Sequence, residues 1–429
     1  MANHLSVGGR RWVAPLAAGS LVAAAGLVAG GAGTTGAAGA DRGQRGAAKV
    51  ENVILFVGDG MGIGARDAGR LAAKGLNRKL VMDSLPVTGM ARTHSADPET
   101  FVTDSAAAGT SLATGVKTFN GAIGVDVEGE RVRTLIERAE RAGMSTGVVT
   151  TAQVTDATPA AFGSHVQDRA EQSEIARQLI ENTGVDAILG GGEDYWYPTG
   201  TPGAYPDAPA EDPTEGSRGD RGNLVERAEQ LGYTYVSDAA GLRAASGRRL
   251  LGLFANQEMF QQRGETAGAV YDPVVPLRTM ARKAVSILSK DKDGFFLLVE
   301  EEAIDEMAHR NNAGLMIKGV RQLDRAVKLG KRLAKRDDGT LVVVTADHET
   351  GGATVEQPDP GDETGTAPST EDGPFTVRGS SYQFFVDWTT GQHSDADVPV
   401  MAMGPGSGRL DGTYENTHIH DAIRAALFR

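Results

Sequence analysis

Five short stretches of the chain combine metal-binding side chains with the end of an apolar run, and one of them adds a serine. They are residues 57–62, 103–107, 300–309, 345–350 and 392–394. Their carboxylates and imidazoles suffice for at least two cations, and the serine supplies a hydroxyl nucleophile. Together these groups predict metal-assisted hydrolysis of an ester.

The first stretch places Asp59 directly after an apolar run, between glycines. Gly60-x-Gly62-x-x-Ala65 also matches the loose form of the dinucleotide-binding fingerprint. We favour a metal site, because a carboxylate inside the loop would repel a pyrophosphate unless a cation intervened. The glycines let the backbone turn sharply after the strand. We expect Asp59 to point into a crevice, where its two oxygens can bridge two metals.

Ser105 falls in the first turn of a helix that begins with alanines, with Thr103 or Asp104 as its cap. Free N–H groups and the positive end of the helix dipole favour an anion at this position. A phosphoryl group on Ser105 would therefore be well bound. Taken alone, however, the segment is explained more simply by a capping serine.

Thr158 and Arg169 each have two interpretations. Thr158 precedes Pro159 and fits a helix N-cap followed by proline at the first helical position, which requires no ligand. Arg169 can clamp a phosphate through two parallel hydrogen bonds or lie on the surface as an ordinary arginine. The sequence leaves both questions open.

The remaining stretches predict further metal ligands. Asp305 and His309 are four residues apart and share one helix face, a spacing typical of two ligands on one metal, although a solvated acidic helix start is the alternative. Asp347 and His348 stand side by side after an apolar run and offer the oxygen and nitrogen ligands that zinc accepts. His393 can complete a His/His/Asp set.

The other histidines carry no such pattern. We expect His94, His165 and His420 to be structural, leave His418 undecided, and expect His4 to leave with an export signal.

Apolar runs alternate with amphipathic helices along the chain. The runs are 53–57, 146–150, 187–189, 295–299, 341–345 and 398–403, and the helical stretches include 134–142, 171–181, 277–288 and 317–336. The β-branched runs predict an α/β fold: a large, mostly parallel central sheet flanked by helices on both faces. Ligands of such sheets bind beyond the carboxyl ends of the strands, where Asp59, Glu300, Asp347 and His348 all fall.

The N-terminus is typical of an export signal. Arg10-Arg11 precede an apolar stretch, and residues 38–40 form a small-x-small cleavage site. Pro15 and many glycines disfavour the alternative of a membrane anchor. We predict an export signal at 1–40, a linker at 41–48 and one catalytic domain at 49–429, secreted and without a membrane partner. The arginine pair fits either the twin-arginine route or a simple basic segment.

We predict two loop insertions in the catalytic domain, at about 193–222 and 356–374. The acidic second one fits no calcium-loop spacing, so a solvated insertion is the better interpretation.

The composition of the chain excludes some kinds of ligand and partner. The chain has 429 residues, no cysteine and a formal net charge of −13. Disulfides and thiolate ligands are therefore excluded, and a generic nucleic-acid partner, which would need a basic face, is disfavoured. An anionic substrate is still compatible with this charge, because bound cations would dominate the local field.

In order and spacing these motifs resemble the alkaline phosphatase family over nearly the whole mature chain. The most specific parts are Gly58-Asp59-Gly60-Met61-Gly62, Asp104-Ser105-Ala106-Ala107, Asp156-Ala157-Thr158-Pro159-Ala160, Glu300 with Asp305 and His309, and Thr345-Ala346-Asp347-His348. The resemblance implies a metal-dependent phosphate monoesterase that acts on small phosphate esters, usually as a homodimer.

By the same resemblance, Ser105 is the nucleophile that becomes phosphorylated and Arg169 holds the phosphate. The cofactors implied are two Zn²⁺ and one Mg²⁺ per subunit. One zinc has the ligands Asp305, His309 and His393, the other has Asp59, Asp347 and His348, and magnesium has Asp59, Thr158 and Glu300. A phosphodiesterase, a phosphatase for one metabolite and a non-catalytic exported metal- or phosphate-binding protein are the alternatives.

Three glutamates depart from the family pattern. Glu306 follows Asp305 where relatives often carry a basic or aromatic residue, and Glu301 and Glu302 stand where a small residue is usual. Negative charge near the site should weaken phosphate binding or recruit an extra cation.

Overall fold

The computed structural model describes residues 49–209, 213–260, 271–357 and 371–428. The predicted export signal and linker lie outside the described residues, and both they and the domain boundaries stay predictions. Among the described helices, none is at once long and apolar enough to cross a membrane.

The strands form three sheets. They are β1 (Asn52–Gly58), β2 (Val87–Arg92), β3 (Ser145–Gln153), β4 (Ala187–Gly191), β5 (Tyr233–Val236), β6 (Arg249–Leu253), β7 (Phe295–Glu301), β8 (Thr340–Thr345), β9 (Glu349–Thr350), β10 (Thr354–Glu356), β11 (Asp372–Thr376), β12 (Gln383–Asp387), β13 (His393–Ser394), β14 (Val398–Met403) and β15 (Gly412–Glu415).

The α-helices lie between these strands. They are α1 (Ile63–Lys74), α2 (Ser105–Thr114), α3 (Leu135–Arg141), α4 (Ala157–Gly163), α5 (Gln172–Gln178), α6 (Leu224–Gln230), α7 (Ala239–Ala244), α8 (Leu277–Leu288), α9 (Ala303–His309), α10 (Ala313–Ala334) and α11 (Thr417–Leu427).

The main sheet has ten strands in the order β15-β2-β14-β8-β1-β7-β3-β4-β6-β5. Its central strands run parallel, whereas β14 runs antiparallel to both of its neighbours. Two small antiparallel sheets, β10-β12-β11 and β13-β9, lie outside it. The prediction of a large, mostly parallel sheet is confirmed.

Helices cover this sheet on both faces, as predicted. In β1 every residue from Val53 to Val57 has 0% exposure. Successive side chains of a strand point to opposite faces, so complete burial along β1 requires cover on each side. On one face α10 approaches closely at Gly330, where an added Cβ would lie 2.8 Å from the ring of Phe56.

Some predicted boundaries moved. Helix α10 begins four residues before the predicted start, because the Asn312 side chain caps it by accepting a hydrogen bond from Leu315 N. The segment predicted as one helix at 171–181 is α5 followed by a π-helical turn, Leu179–Thr183. Strands β10 and β11 occupy the two ends of the predicted insertion at 356–374, whose residues 358–370 lie outside the described part of the chain.

Candidate active site

The carboxyl ends of four neighbouring parallel strands, β8, β1, β7 and β3, form the floor of the candidate site. Val57 pairs in register with both Glu300 and Thr345, so the segments that follow these three strands begin at the same edge of the sheet. This is why carboxylates from distant parts of the sequence meet at one edge of the sheet.

Ser105 is the first residue of α2 and is almost fully buried. Asp104 occupies the N-cap position, where its carboxylate accepts a hydrogen bond from Ala107 N at 2.9 Å. Because Asp104 serves as the cap, the hydroxyl of Ser105 is not needed for that purpose. Its Oγ instead lies 3.1 Å from Nε2 of His348.

Asp305, His309 and His393 form the first cluster of potential metal ligands. The Nδ1 atoms of His309 and His393 lie 2.8 Å from the carbonyl oxygens of Gly391 and Thr103. A carbonyl oxygen only accepts, so each Nδ1 carries a proton and each Nε2 is the nitrogen that can offer a lone pair to a metal. The two Nε2 atoms are 3.0 Å apart, and Asp305 Oδ2 lies 3.2 Å from that of His309. Such a set of facing lone pairs fits a zinc ion.

Asp59, Asp347 and His348 converge beside Ser105, and Asp305 joins Asp59 and His348 in a second group of closely spaced ligand atoms. Nε2 of His348 lies 3.4 Å from Asp59 Oδ1 and 3.2 Å from Asp347 Oδ2, and both oxygens are buried without a hydrogen-bond partner. Burial raises the pKa of Asp347 to about 7 and lowers that of His348 well below its ordinary value. Neutral imidazole is the form that binds metals, so the donor set fits a second zinc.

Thr158 and Glu300 form a third, oxygen-only set. Helix α4 starts at Ala157 with Asp156 in the N-cap position, so the interpretation of Thr158 as the N-cap is wrong. The Thr158 hydroxyl is buried and has no hydrogen-bond partner. Oε2 of Glu300 accepts a hydrogen bond from Thr150 at 2.6 Å. Oxygen ligands of this kind suit magnesium.

Arg169 is held at the site by two carboxylates. Its Nη2 donates to Asp156 at 3.0 Å and 3.2 Å, and its Nη1 lies 3.5 Å from Asp104, the neighbour of Ser105. The side chain keeps 33% exposure, so it is only partly buried. This placement favours the phosphate clamp over an ordinary surface arginine.

Sequence reasoning missed Thr350. Its hydroxyl donates to Asp305 and lies 3.2 Å from Nδ1 of His348, which orients one residue of each ligand cluster. The signal in the sequence that could have identified Thr350 was its position two residues after His348.

Gly60, which has φ of +66°, is also required at this site, because a Cβ would lie 2.6 Å from Asp305 Oδ1.

The other histidines of the described chain lie apart from these clusters. Nδ1 of His165 lies 2.6 Å from the Gly124 carbonyl, and the rings of His94, His418 and His420 contact Glu415, the Arg409 carbonyl and Asp421. Within the described residues, the two clusters of metal-binding groups contain none of the four.

Comparison with known proteins gives one consistent family. A family model described as "Alkaline phosphatase" matches residues 50–383. The chain is 32% identical over 425 residues to the alkaline phosphatase of Escherichia coli K12, covering 88% of this chain and 86% of that protein. It is 33% identical over 430 residues to the streptomycin-6-phosphate phosphatase of Streptomyces griseus, covering 90% and 92%.

Alkaline phosphatase 4 of Bacillus subtilis is 38% identical over 319 residues, which are 72% of this chain. The match spans 63% of that protein, less than two thirds of its length. Among solved structures, the alkaline phosphatase of the Antarctic bacterium TAB5 has a TM-score of 0.70 at 29% identity, covering 89% of this chain and 98% of that one. The Thermus thermophilus enzyme, at 23% identity, 92% and 95% coverage and a TM-score of 0.71, matches in fold.

Proposed function

We propose that this chain, which belongs to the alkaline phosphatase family, hydrolyses phosphate monoesters through a phosphoserine formed on Ser105. The enzyme class, phosphoric monoester hydrolase, follows from the family. The observation that carries the proposed mechanism is the 3.1 Å approach of Ser105 Oγ to Nε2 of His348. It puts a hydroxyl beside the point on which a metal-ligand set converges.

The three donor sets suit two zinc ions and one magnesium ion. We assign Asp305, His309 and His393 to one zinc, Asp59, Asp347 and His348 to the other, and Asp59, Thr158 and Glu300 to magnesium. The orphaned oxygens of Asp59, Asp347 and Thr158 support this assignment. When bound, the ions would supply Lewis acidity and offset the charge that develops on phosphorus and its oxygens.

The chain's own groups would then perform the following tasks. Ser105 attacks phosphorus, the alcohol leaves, and water later cleaves the seryl phosphate to regenerate the hydroxyl. The first turn of α2 donates free N–H groups towards the phosphoryl oxygens. Arg169, pre-oriented by Asp156 and Asp104, pairs with two of those oxygens. The family resemblance supports a homodimer, and the N-terminal sequence supports export.

Trapping the intermediate tests this proposal. The enzyme is mixed with a phosphomonoester, quenched in acid and digested, and the peptide containing Ser105 is examined by mass spectrometry. We expect a phosphate adduct on Ser105. An adduct on another residue, or turnover without any adduct, argues for a different mechanism.

A second candidate is a phosphatase dedicated to one metabolite, which the match to the streptomycin-6-phosphate phosphatase favours. Rates on a panel of monoesters and matched diesters would separate the candidates. Broad monoester activity supports the first, activity on a single ester supports the second, and faster diester cleavage would indicate a phosphodiesterase.

We expect Arg169→Lys to raise both KM and the inhibition constant for inorganic phosphate by roughly tenfold, because an ammonium cannot form the paired hydrogen bonds of a guanidinium. Steady-state kinetics measure both constants. Arg177→Lys is the matched control, since Arg177 is also held by two carboxylates but on α5. Equal effects of the two substitutions would contradict the role of Arg169.

We expect Glu306→Lys to lower the inhibition constant for inorganic phosphate by roughly tenfold, because it places a positive charge beside Asp305, at a half-buried position where burial raises the pKa of the present carboxyl to about 8. Competitive inhibition assays at fixed pH and magnesium measure the change. Glu301→Gln is the control, because the Glu301 carboxylate accepts hydrogen bonds from Thr151 and Tyr271. An unchanged or higher constant in Glu306→Lys counts against this effect.

A further inference from the structure

A short turn connects α9, whose last residue is His309, to α10. It contains two adjacent asparagines whose side chains have different partners. The side chain of Asn312 caps α10. The side chain of Asn311 contacts Thr390 instead, in the segment that leads to His393. Asn311 therefore connects the segments that carry the two histidines of one proposed zinc site.

The backbone at Asn311 has a conformation in which glycine is the usual residue. Its φ is +50°, in the left-handed region that most side chains avoid. Asn311 N donates to the Ala308 carbonyl at 2.9 Å, and Asn312 N donates to the Met307 carbonyl at 2.8 Å. These are the two hydrogen bonds of a Schellman motif. Because glycine would adopt this conformation with less strain, the backbone alone does not explain an asparagine here.

The side chain of Asn311 makes two hydrogen bonds of its own. Its Nδ2 donates to the carbonyl oxygens of Ala308 at 3.2 Å and of Thr390 at 3.1 Å. A carbonyl oxygen only accepts, so the amide nitrogen faces both partners. The bond to Ala308 stays within the end of α9. The bond to Thr390 reaches a segment 79 positions further along the chain, and glycine could not form it.

Residues 389–393 form the segment that ends in His393, and each of them is at least partly exposed. Thr389 N and Thr390 N donate to the Gly351 carbonyl at 2.9 Å and 3.2 Å, which ties the segment to the turn after β9. A segment with so little burial depends on its hydrogen bonds to keep one position.

The end of α9 holds the same segment through two adjacent carbonyl groups. The Gly391 carbonyl accepts from Nδ1 of His309 at 2.8 Å, and the Thr390 carbonyl accepts from Asn311. The first bond orients a ring that would bind the metal, and the second fixes the backbone beside it. Since Nε2 of His309 lies 3.0 Å from Nε2 of His393, a small shift of the segment would change the gap between the two ligand atoms.

We propose that Asn311 is a positioning residue for the zinc site of Asp305, His309 and His393. Its amide holds the segment of His393 against the end of α9, so that both imidazoles are in place before zinc binds. This inference rests on the proposed function, because it takes the assignment of that zinc site as given. Groups that orient metal ligands without touching the metal commonly set its affinity.

Asn311→Gly tests the inference, because glycine keeps the left-handed backbone and removes the side chain. Competition with a chelator of known affinity measures zinc binding to the metal-free protein. We expect the dissociation constant of one of the two zinc ions to rise roughly tenfold and that of the other to change less. Asn312→Gly is the matched control, since that side chain caps α10 and glycine is tolerated at such a cap. It should leave both constants near their wild-type values.

The dependence of activity on zinc separates this role from a general effect on stability. In zinc-buffered solutions, Asn311→Gly should need roughly tenfold more free zinc for half-maximal activity. Its kcat at saturating zinc should return to near the wild-type value. A residue that only terminates α9 would instead lower the unfolding midpoint of the metal-free protein and leave zinc affinity unchanged.

Unchanged zinc affinity in Asn311→Gly overturns the inference, and so does an equal loss of affinity in Asn312→Gly. If the wild type binds two zinc ions and forms the phosphoserine, and Asn311→Gly binds zinc equally well, this inference alone is refuted. A wild-type enzyme that forms no phosphoserine refutes the proposed mechanism. One that binds no zinc refutes the ligand assignment, and this inference with it.

Discussion

Ser105→Ala should lower kcat for phosphomonoesters by at least about a thousandfold, because it removes the hydroxyl that lies 3.1 Å from His348 Nε2, where Asp59, Asp347 and His348 converge. The substitution leaves the Asp104 cap intact, so the helix should still form. Activity on p-nitrophenyl phosphate and the thermal unfolding midpoint measure the two properties separately.

Ser111→Ala provides the control for this experiment. Ser111 is a buried serine of the same helix, and its hydroxyl donates to the Ala107 carbonyl at 2.9 Å. Its loss should affect stability slightly and leave kcat near the wild-type value. Full activity in Ser105→Ala would exclude the phosphoserine mechanism, and equal losses in both variants would indicate a general effect on α2.

Exhaustive chelation should lower activity by at least about a hundredfold, since the proposed reaction depends on cations to offset charge at phosphorus. It should also lower the unfolding midpoint. Burial raises the pKa of Asp59, and the nearby carboxylates of Asp347, Asp305 and Glu300 raise it further. Bound cations would offset the repulsion between these carboxylates and stabilise the folded protein, so removing the cations should lower its stability.

Reconstitution distinguishes metal loss from damage. Activity should return when zinc and magnesium are both restored, and magnesium alone should not restore it, because the histidine-containing sets suit zinc. Metal content measured by elemental analysis should follow activity through the whole cycle. Activity that survives removal of all bound metal would refute the ligand assignment.

Much of this arrangement could be predicted because its causes are local. The apolar runs that became β1, β3, β7 and β8 are recognisable since strands buried on both faces lack polar alternation. The acid and imidazole groups just after these runs were predictable for the same reason, because carboxyl ends of parallel strands share one edge. The i,i+4 pair of Asp305 and His309 followed from helix geometry.

Other features depended on contacts between distant segments. The sequence allowed Thr158 to be a helix cap, Arg169 to be a surface residue and Glu301 and Glu302 to be equivalent. Packing separated these cases: α4 begins one residue before Thr158, Asp156 and Asp104 anchor Arg169, and Tyr271 satisfies Glu301 but not Glu302.

The amino-acid sequence was sufficient to predict the buried strands β1, β3, β4, β7, β8 and β14 of the main sheet and several of the helices, because short-range periodicity governs them. The direction of each side chain and its partners were decided by the tertiary structure. A side chain's hydrogen bonds depend on which atoms approach from elsewhere in the chain. His348 contacts Ser105, for example, although the two residues are 243 positions apart in the sequence. No local sequence pattern predicts such a contact, because it forms only when the folded sheet brings the ends of its strands together.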